Sequence, residues 1–301
     1  MKKIAIFTDC DLDGLGSYHV FRWYTKINNA QHEICSQSNF RNTYTKWAKK
    51  NNPRSFDKIY IFDLDVSQSN MDLVDHENVT IIDHHDTHVK NADNYNKATT
   101  ILTEYTSCCK LIYSLLKAKY PKVELTDEQK MLILLVDDYD SYTLKLRDSY
   151  NMNVIVWNYH GNRAEQFERD FGTGFHGFKQ EHLNMIHMNN KKVRRVIDNL
   201  EMYAGEVPIN GKQTKIIGVV ADMCLNEVAH HVLNTQDCDI CMVLNMRSKR
   251  VSFRKSKTRD VEVDLGALAK RIADGGGHPY AAGGKITDMV TSITKLLEPM
   301  V

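Results

Sequence analysis

Three short apolar runs in this chain end directly in acidic or imidazole side chains. Lys3 to Thr8 leads into Asp9, Asp11, Asp13 and Gly14; Ile59 to Phe62 leads into Asp63 and Asp65; Val79 to Ile82 leads into Asp83, His84 and His85. A fourth acidic group, Asp137, Asp138 and Asp140, ends a helical pattern that begins near Thr126, at a helix end where the macrodipole disfavours carboxylates. One aspartate after a strand is ordinarily a turn former or a cap, and one histidine is ordinarily structural. Four such groups together ask for another explanation. Gathering five or more carboxylates raises their pKa values and costs free energy unless positive charge offsets it. Divalent cations are the simplest source of that charge. Oxygen ligands with one or two imidazoles suit Mn²⁺ or Mg²⁺ better than a thiolate-preferring zinc site, and the number of acids points to two ions rather than one. A pair of ions lowers the pKa of a bridging water and holds a phosphate between them, which suits in-line hydrolysis of a phosphodiester.

A second group of residues lies near the C-terminus. Lys249, Arg250, Arg254, Lys255, Lys257 and Arg259 place six cations in eleven residues, a candidate phosphate-binding strip. Strand alternation puts Ser252 and Arg254 on one face and Val251 and Phe253 on the other, which makes Arg254 the candidate phosphate clamp. Gly275, Gly276 and Gly277 before His278 allow backbone amides to approach an anion closely, and the preceding helical pattern predicts that they form a surface turn. His230 and His231 read as structural. The Cys238/Cys241 spacing, without a second cysteine pair, and the adjacent Cys108 and Cys109 read as core packing rather than metal or redox chemistry.

These residues need a scaffold, and the alternation of β-rich runs with helical patterns over the first 140 residues predicts an α/β fold with a parallel sheet. Strands are expected at Lys3 to Thr8, Gln31 to Ser36, Lys58 to Phe62 and Val79 to Ile82. Helices are expected at Gly16 to Ile27, Asn42 to Lys50 and Glu104 to Tyr120. Another should start at Thr126, where Thr126 and Gln129 form a capping-box signature. After Tyr142 the pattern loosens around Trp157, Gly161, Phe171, Gly174 and Phe178. A polar helix from Gln180 to Ala204 is the candidate connector. Beyond it, strands are expected near Thr214 to Val220, Asp239 to Asn245, Arg250 to Arg254 and Gly283 to Ile286. Helices should fall at Asn226 to Leu233, Asp264 to Ala273 and Asp288 to Leu297. A chain of 301 residues is long enough for two domains.

Lys and Arg total 39 against 38 Asp and Glu, so no strong overall field attracts polyanions, and binding of long duplexes is disfavoured. Seven unpatterned cysteines and no leader-like N-terminus fit a reducing cytoplasm. No apolar run approaches the roughly 18 residues a bilayer span requires.

The segments Asp9-Cys-Asp11-Leu-Asp13-Gly14, Ile61-Phe62-Asp63, Asp83-His84-His85, Asp137-Asp138 and Gly275-Gly-Gly-His278-Pro-Tyr-Ala-Ala-Gly-Gly284 occur in the order found in DHH phosphoesterases with a DHHA1 domain, and the chain resembles that family over nearly its whole length. The resemblance implies a DHH domain over 1–180, a helical connector over 181–205 and a smaller α/β DHHA1 domain over 206–301, with substrate bound in the cleft between the domains. It implies two Mn²⁺ or Mg²⁺ ions, Mn²⁺ foremost. Asp9, Asp11 and Asp13 look like the first metal motif, Asp63 like the bridging carboxylate and His84 like an imidazole ligand oriented by Asp83. His85 resembles the histidine that faces the scissile phosphate. The first motif is Asp-x-Asp-x-Asp, as in the RecJ branch, and not the His-led version of many small members, which bears most on Asp9. For the fourth motif Asp138 is favoured, with Asp137 and Asp140 left open. Arg254, Gly275, Gly276, Gly277 and His278 look like substrate-binding residues. The activity implied is hydrolysis of short single-stranded RNA or DNA oligonucleotides or dinucleotides to nucleoside 5′-monophosphates. Cyclic-dinucleotide cleavage, 3′-phosphoadenosine 5′-phosphate dephosphorylation and a noncatalytic nucleotide-binding role are the alternatives. No membrane contact is expected, and a homodimer is left open.

Overall fold

The computed structural model describes residues 2–67, 70–259 and 261–300, and the chain divides into two compact units, Met1–Ile186 and His187–Val301. In the first unit a five-stranded sheet has the order β2-β1-β3-β4-β5, with β1 Ile4–Thr8, β2 Gln31–Ile34, β3 Lys58–Phe62, β4 Val79–Asp83 and β5 Thr99–Leu102. Every pairing in it is parallel. Its helices are α1 Leu12–Thr25, α2 Phe40–Lys50, α3 Met71–Val74, α4 Asp86–Val89, α5 Cys108–Lys119, α6 Asp127–Asp140, α7 Arg147–Asn158 and α8 Arg163–Phe171, followed by α9 Gln180–Ile197.

Strand alternation explains why both faces of this sheet are covered. Ile4, Ile6, Phe62 and Ile82 point into a core shared with residues of α1, α5, α6, α7 and α8. Ala5, Phe7, Ile59, Ile61, Val79 and Ile81 point the other way, against Phe40, Tyr44 and Trp47 of α2. The adjacency of β1, β3 and β4 matters most for function. Thr8 is level with Phe62, and Phe62 with Ile82, so the residues that follow these strands emerge side by side. That edge is also where the strand order reverses, between β1 and β3, the usual ligand-binding point of an open parallel sheet.

The second unit carries a seven-stranded mixed sheet in the order β10-β11-β9-β8-β7-β6-β12. Its strands are β6 Met202–Ile209, β7 Lys212–Val220, β8 Ile240–Asn245, β9 Arg250–Lys255, β10 Gly276–His278, β11 Ala281–Lys285 and β12 Glu298–Pro299, with helices α10 Leu225–Thr235, α11 Leu265–Ile272 and α12 Asp288–Thr294. Only β7 and β8 run parallel; the other pairs are antiparallel. Val251 and Phe253 of β9 are buried, in a core with Leu265, Leu268 and Ile272 of α11. Cys238 and Cys241 are fully buried in a second core with Val228 and Val232 of α10, as core packing requires.

Several elements differ from the sequence reading. β5, β6 and β12 were not foreseen, and the loosely patterned stretch after Tyr142 contains two regular helices, α7 and α8. The glycine segment expected as a turn is the strand β10, in which Gly276 pairs with Gly283 and His278 with Ala281. Among the described residues no helix is long and apolar enough to cross a membrane.

Candidate metal centre

The turn after β1 is tied together by its own polar groups. Asp11 is the N-cap of α1 and accepts the Gly14 amide at 3.0 Å. Asp9 accepts the Cys10 amide, and Arg163 donates to the Cys10 carbonyl at 2.7 Å. A Cβ on Gly14 would collide with the Asp9 backbone, so glycine is a steric requirement here. Asp13, in the first turn of the helix, is buried and accepts the amides of Cys108 and Cys109 at 2.6 and 2.8 Å. These are the first amides of α5, and the positive end of that helix partly offsets the carboxylate charge.

β3 is followed directly by Asp63, whose φ of +59° lies in the left-handed region, uncommon for a residue with a side chain and typical of functional sites. After β4, the His84 ring has Nδ1 3.1 Å from the Tyr105 carbonyl. Its Nε2 lies 3.4 Å from an Asp63 oxygen, 3.6 Å from Asp13 and 3.4 Å from Asp140. These separations are too long for three hydrogen bonds, and one nitrogen cannot serve three acceptors. Asp13, His84 and Asp140 form one cluster able to hold a metal ion, and Asp63, Asp83, His84 and His85 form another.

The electrostatics agree with that geometry. Burial, reinforced by Asp13 and Asp11, holds the Asp63 carboxyl well above the usual carboxylate range. Burial with the same two neighbours does so for Asp140. Burial pushes Asp13 up to about 6 despite the attraction of His84, and burial with Asp11 pushes Asp9 up to about 7. Without a cation these acids compete for protons. The donor set therefore fits a hard or borderline divalent ion, and anchoring of an imidazole by a carbonyl on its far nitrogen is the usual arrangement at such sites.

Two expectations about individual residues do not match their positions. Asp138 lies outside both clusters, as do Asp9 and Asp11, but Asp11 acts electrostatically on Asp9, Asp13 and Asp63, whereas Asp138 is engaged elsewhere. Its oxygens accept Thr143 Oγ1 at 2.5 Å, the Lys145 amide at 2.9 Å, the Leu146 amide at 3.0 Å and Ser149 Oγ at 2.6 Å. These four donors use all of a carboxylate's acceptor sites and, against the cost of burial, hold its pKa low. Asp137 is bound to Ser107 and Lys110. Asp140 is the acid of this group that reaches His84, because the three carboxylates leave α6 on different sides. Second, Asp83 does not orient the His84 ring. Its Oδ1 accepts the His84 backbone amide and His85 Nδ1, each at 2.8 Å. Burial opposes the charge on His85, but Asp83 overcomes it and holds the imidazole up at about 10. The other Asp83 oxygen is 2.6 Å from Nδ1 of His88, a residue the sequence reading passed over. Its spacing after His85 was the available signal.

In the second unit, Arg254 and Ser252 lie on the face opposite Val251 and Phe253, as alternation requires. Arg254 donates to Asn226 at 2.5 Å and to the Phe253 carbonyl at 2.8 Å. Two other cations of the strip are engaged within the protein. Lys255 donates to the carbonyls of Val261 and Val263 and sits 4.3 Å over the Tyr280 ring, while Arg259 pairs with Asp237 and Asp239. His278 and its glycines are exposed except Gly275, which is half-buried. A Cβ on Gly276 would meet nothing, whereas Gly277, at φ +142°, leaves no room for one beside Ala282.

Comparison with known proteins supplies two family matches. Residues 3–136 match the DHH family, N-terminal domain, and residues 208–300 match the DHHA1 domain. No curated protein sequence matches the chain. Among solved structures, the pGpG-specific phosphodiesterase PggH of Vibrio cholerae is similar at 14% identity and a TM-score of 0.56, covering 98% of this chain and 97% of that one. Exonuclease RecJ bound to manganese is similar at 14% identity and 0.53, covering 98% and 88%. RecJ of Thermus thermophilus in complex with Mn²⁺ is similar at 12% identity and 0.53, covering 98% of this chain and 51% of that one, and its Mg²⁺ complex is similar too. At these identities the likeness is one of fold.

Proposed function

Because the chain belongs to the DHH family of phosphoesterases and carries a DHHA1 domain, we propose that it hydrolyses short single-stranded oligonucleotides, dinucleotides foremost, to nucleoside 5′-monophosphates, using two divalent cations of which Mn²⁺ is the first choice. The observation that carries the reading is the convergence of Asp13, Asp63 and Asp140 on His84 Nε2, with His85 beside them. Asp9, Asp11, Asp13, Asp63, His84 and Asp140 are the proposed metal-holding residues. Bound divalent ions would supply electrophilic activation of the phosphate and a nucleophilic water at neutral pH.

The chain's own residues carry the remaining roles. His85 is held at Nδ1 by Asp83, which favours the charged form of the ring, so a proton on Nε2 would serve a phosphate oxygen as that oxygen gains charge. Arg254, fixed by Asn226, is the proposed clamp for a phosphate away from the reacting one, with Gly275, Gly276, Gly277 and His278 offering backbone and imidazole donors. Dinucleotides are favoured within the substrate range by the fold likeness to a pGpG-specific phosphodiesterase that this chain spans almost completely. RecJ structures with Mn²⁺ and Mg²⁺ support the choice of ions.

The test is a substrate panel with Mn²⁺: linear RNA and DNA of two to five nucleotides, longer single strands, cyclic dinucleotides, 3′-phosphoadenosine 5′-phosphate and pyrophosphate, with products identified by mass. Release of nucleoside 5′-monophosphates, fastest from the shortest linear substrates, is expected. Turnover confined to a cyclic dinucleotide or to the adenosine bisphosphate would replace this reading.

A further inference from the structure

His88 is fully buried, belongs to neither candidate metal cluster, and yet has a close polar partner on both ring nitrogens. Nδ1 lies 2.6 Å from Asp83 Oδ2 and Nε2 lies 2.7 Å from the Tyr95 hydroxyl. With Nδ1 donating to the carboxylate, a neutral ring leaves Nε2 to accept the Tyr95 hydroxyl proton. Asp83 is itself wholly buried, and its two oxygens divide their work: Oδ1 takes His85 Nδ1 and the His84 amide, Oδ2 takes His88. The result is a continuous chain, Tyr95–His88–Asp83–His85, that ends on the one imidazole of the site whose side chain is 30% exposed.

A carboxylate gripped on one oxygen can still swing, and a ring bound to it swings with it. A donor on the second oxygen removes that freedom, and a hydroxyl behind the donor fixes the donor's own ring. An apolar residue at 88 would leave Asp83 Oδ2 without this donor in a dry interior, which is costly.

We propose that His88, backed by Tyr95, is a positioning residue for the reaction: it locks the carboxylate of Asp83 so that the His85 ring is held with Nε2 towards the reacting phosphate. This rests on the role given to His85 above. His88 touches neither substrate nor metal; its whole effect passes through Asp83 and His85.

The experiment compares His88→Leu, His88→Asn, Tyr95→Phe and His85→Ala, with the double variant His88→Leu/His85→Ala, in full-length Mn²⁺-loaded protein on bis-nitrophenyl phosphate. His88→Leu should lower kcat roughly 10- to 100-fold, the usual cost of removing such a partner, with KM nearly unchanged. Asn, whose amide can donate from about the position of Nδ1, should restore most of the loss, and Tyr95→Phe should show a smaller one. In the His85→Ala background His88→Leu should cost almost nothing more, because residues acting through one another are not additive. A loss of equal size in both backgrounds, or an Asn variant that is folded and as slow as Leu, would overturn the proposal. Proton NMR supplies a readout independent of turnover. The low-field Nδ1 proton of His85, assigned by its loss in His85→Ala, should shift or broaden in His88→Leu and in Tyr95→Phe. An unmoved resonance in both overturns the coupling. If wild type cleaves no phosphodiester, the functional reading fails, and the resonance still decides whether His88 holds His85.

Discussion

Replacing Asp138 and Asp140 one at a time should separate two effects that adjacent acids of one helix end would otherwise confound. Asp138 is 7% exposed and accepts four hydrogen bonds from Thr143, Lys145, Leu146 and Ser149, which fasten the turn between α6 and α7. In Asp138→Ala two backbone amides and two hydroxyls lose a charged acceptor. At about 1 kcal/mol for each ordinary hydrogen bond, and more for a charged acceptor, but with losses that overlap within one turn, the expected destabilisation is about 3 to 5 kcal/mol. For a unit of this size that lowers the melting temperature by roughly 6 to 20 °C. Among the described residues Asp140 has no such set of donors, and its carboxyl is held well above the usual range by burial and by Asp13 and Asp11. Asp140→Ala should therefore leave metal-free stability unchanged or raise it, while Mn²⁺ affinity falls sharply. The assay is thermal denaturation by circular dichroism in chelator and in Mn²⁺, with bound metal counted on the same preparations. Metal loss with intact stability in Asp138→Ala, or the reverse in Asp140→Ala, would refute the assignment of Asp138 to the turn and of Asp140 to the metal.

Metal-free protein should lose stability as pH rises from about 6.5 to 9. Asp9, raised to about 7, and His85, raised to about 10, keep protons in the folded state that the unfolded chain has released, and stability falls wherever the folded state binds more protons. Below 6.5 the buried His19 and His32, both lowered to about 3 by burial, pull in the opposite direction, so the upper window is where chelator-treated melts should show the slope; a flat profile there would contradict it. Mn²⁺ affinity should weaken as pH falls below about 7, with protons released on binding, because Asp9, Asp13, Asp63 and Asp140 must give theirs up; calorimetry in buffers of different ionisation enthalpy measures that release. Arg254→Ala should raise KM for dinucleotides roughly tenfold or more, as loss of a charge-assisted contact implies, and spare bis-nitrophenyl phosphate; equal losses on both substrates would point to misfolding. Gly14→Ala should abolish metal binding by displacing the Asp9 backbone, which metal counting on the folded variant would check.

Much of the candidate centre was legible because the grouping of its residues depends on what sequence encodes locally. Strands β1, β3 and β4 are short apolar runs ending in acids, and the parallel sheet that such runs imply brings their ends together without further information. The capping box at Thr126 is equally local, and both of its hydrogen bonds are present. The choice among Asp137, Asp138 and Asp140 was not local. It depends on the rotation of α6 and on which later residues, from Thr143 to Ser149, claim a carboxylate, and spacing along one helix carries neither. The partners of individual strip residues were not local either: the acceptors of Lys255 are carbonyls, invisible to charge counting. β6 was missed because Met202 to Ile209 contains Gly205 and Pro208 and alternates weakly, so only its pairing with β7 makes it a strand.

The backbone at the end of β3 narrows what evolution or an engineer can do with the centre. Besides glycine, asparagine and aspartate enter the left-handed region most readily, and Asp63 sits there at φ +59°. Of those three only aspartate is anionic. Glutamate would keep the charge and forfeit the backbone; asparagine or glycine would keep the backbone and forfeit the charge. Asp13 and Asp140, whose backbones lie in ordinary helix, have no such double constraint. If the proposed centre holds its ions as argued, attempts to change its ion preference should begin at those two positions, with Asp63 treated as a fixed point around which the other proposed ligands are varied.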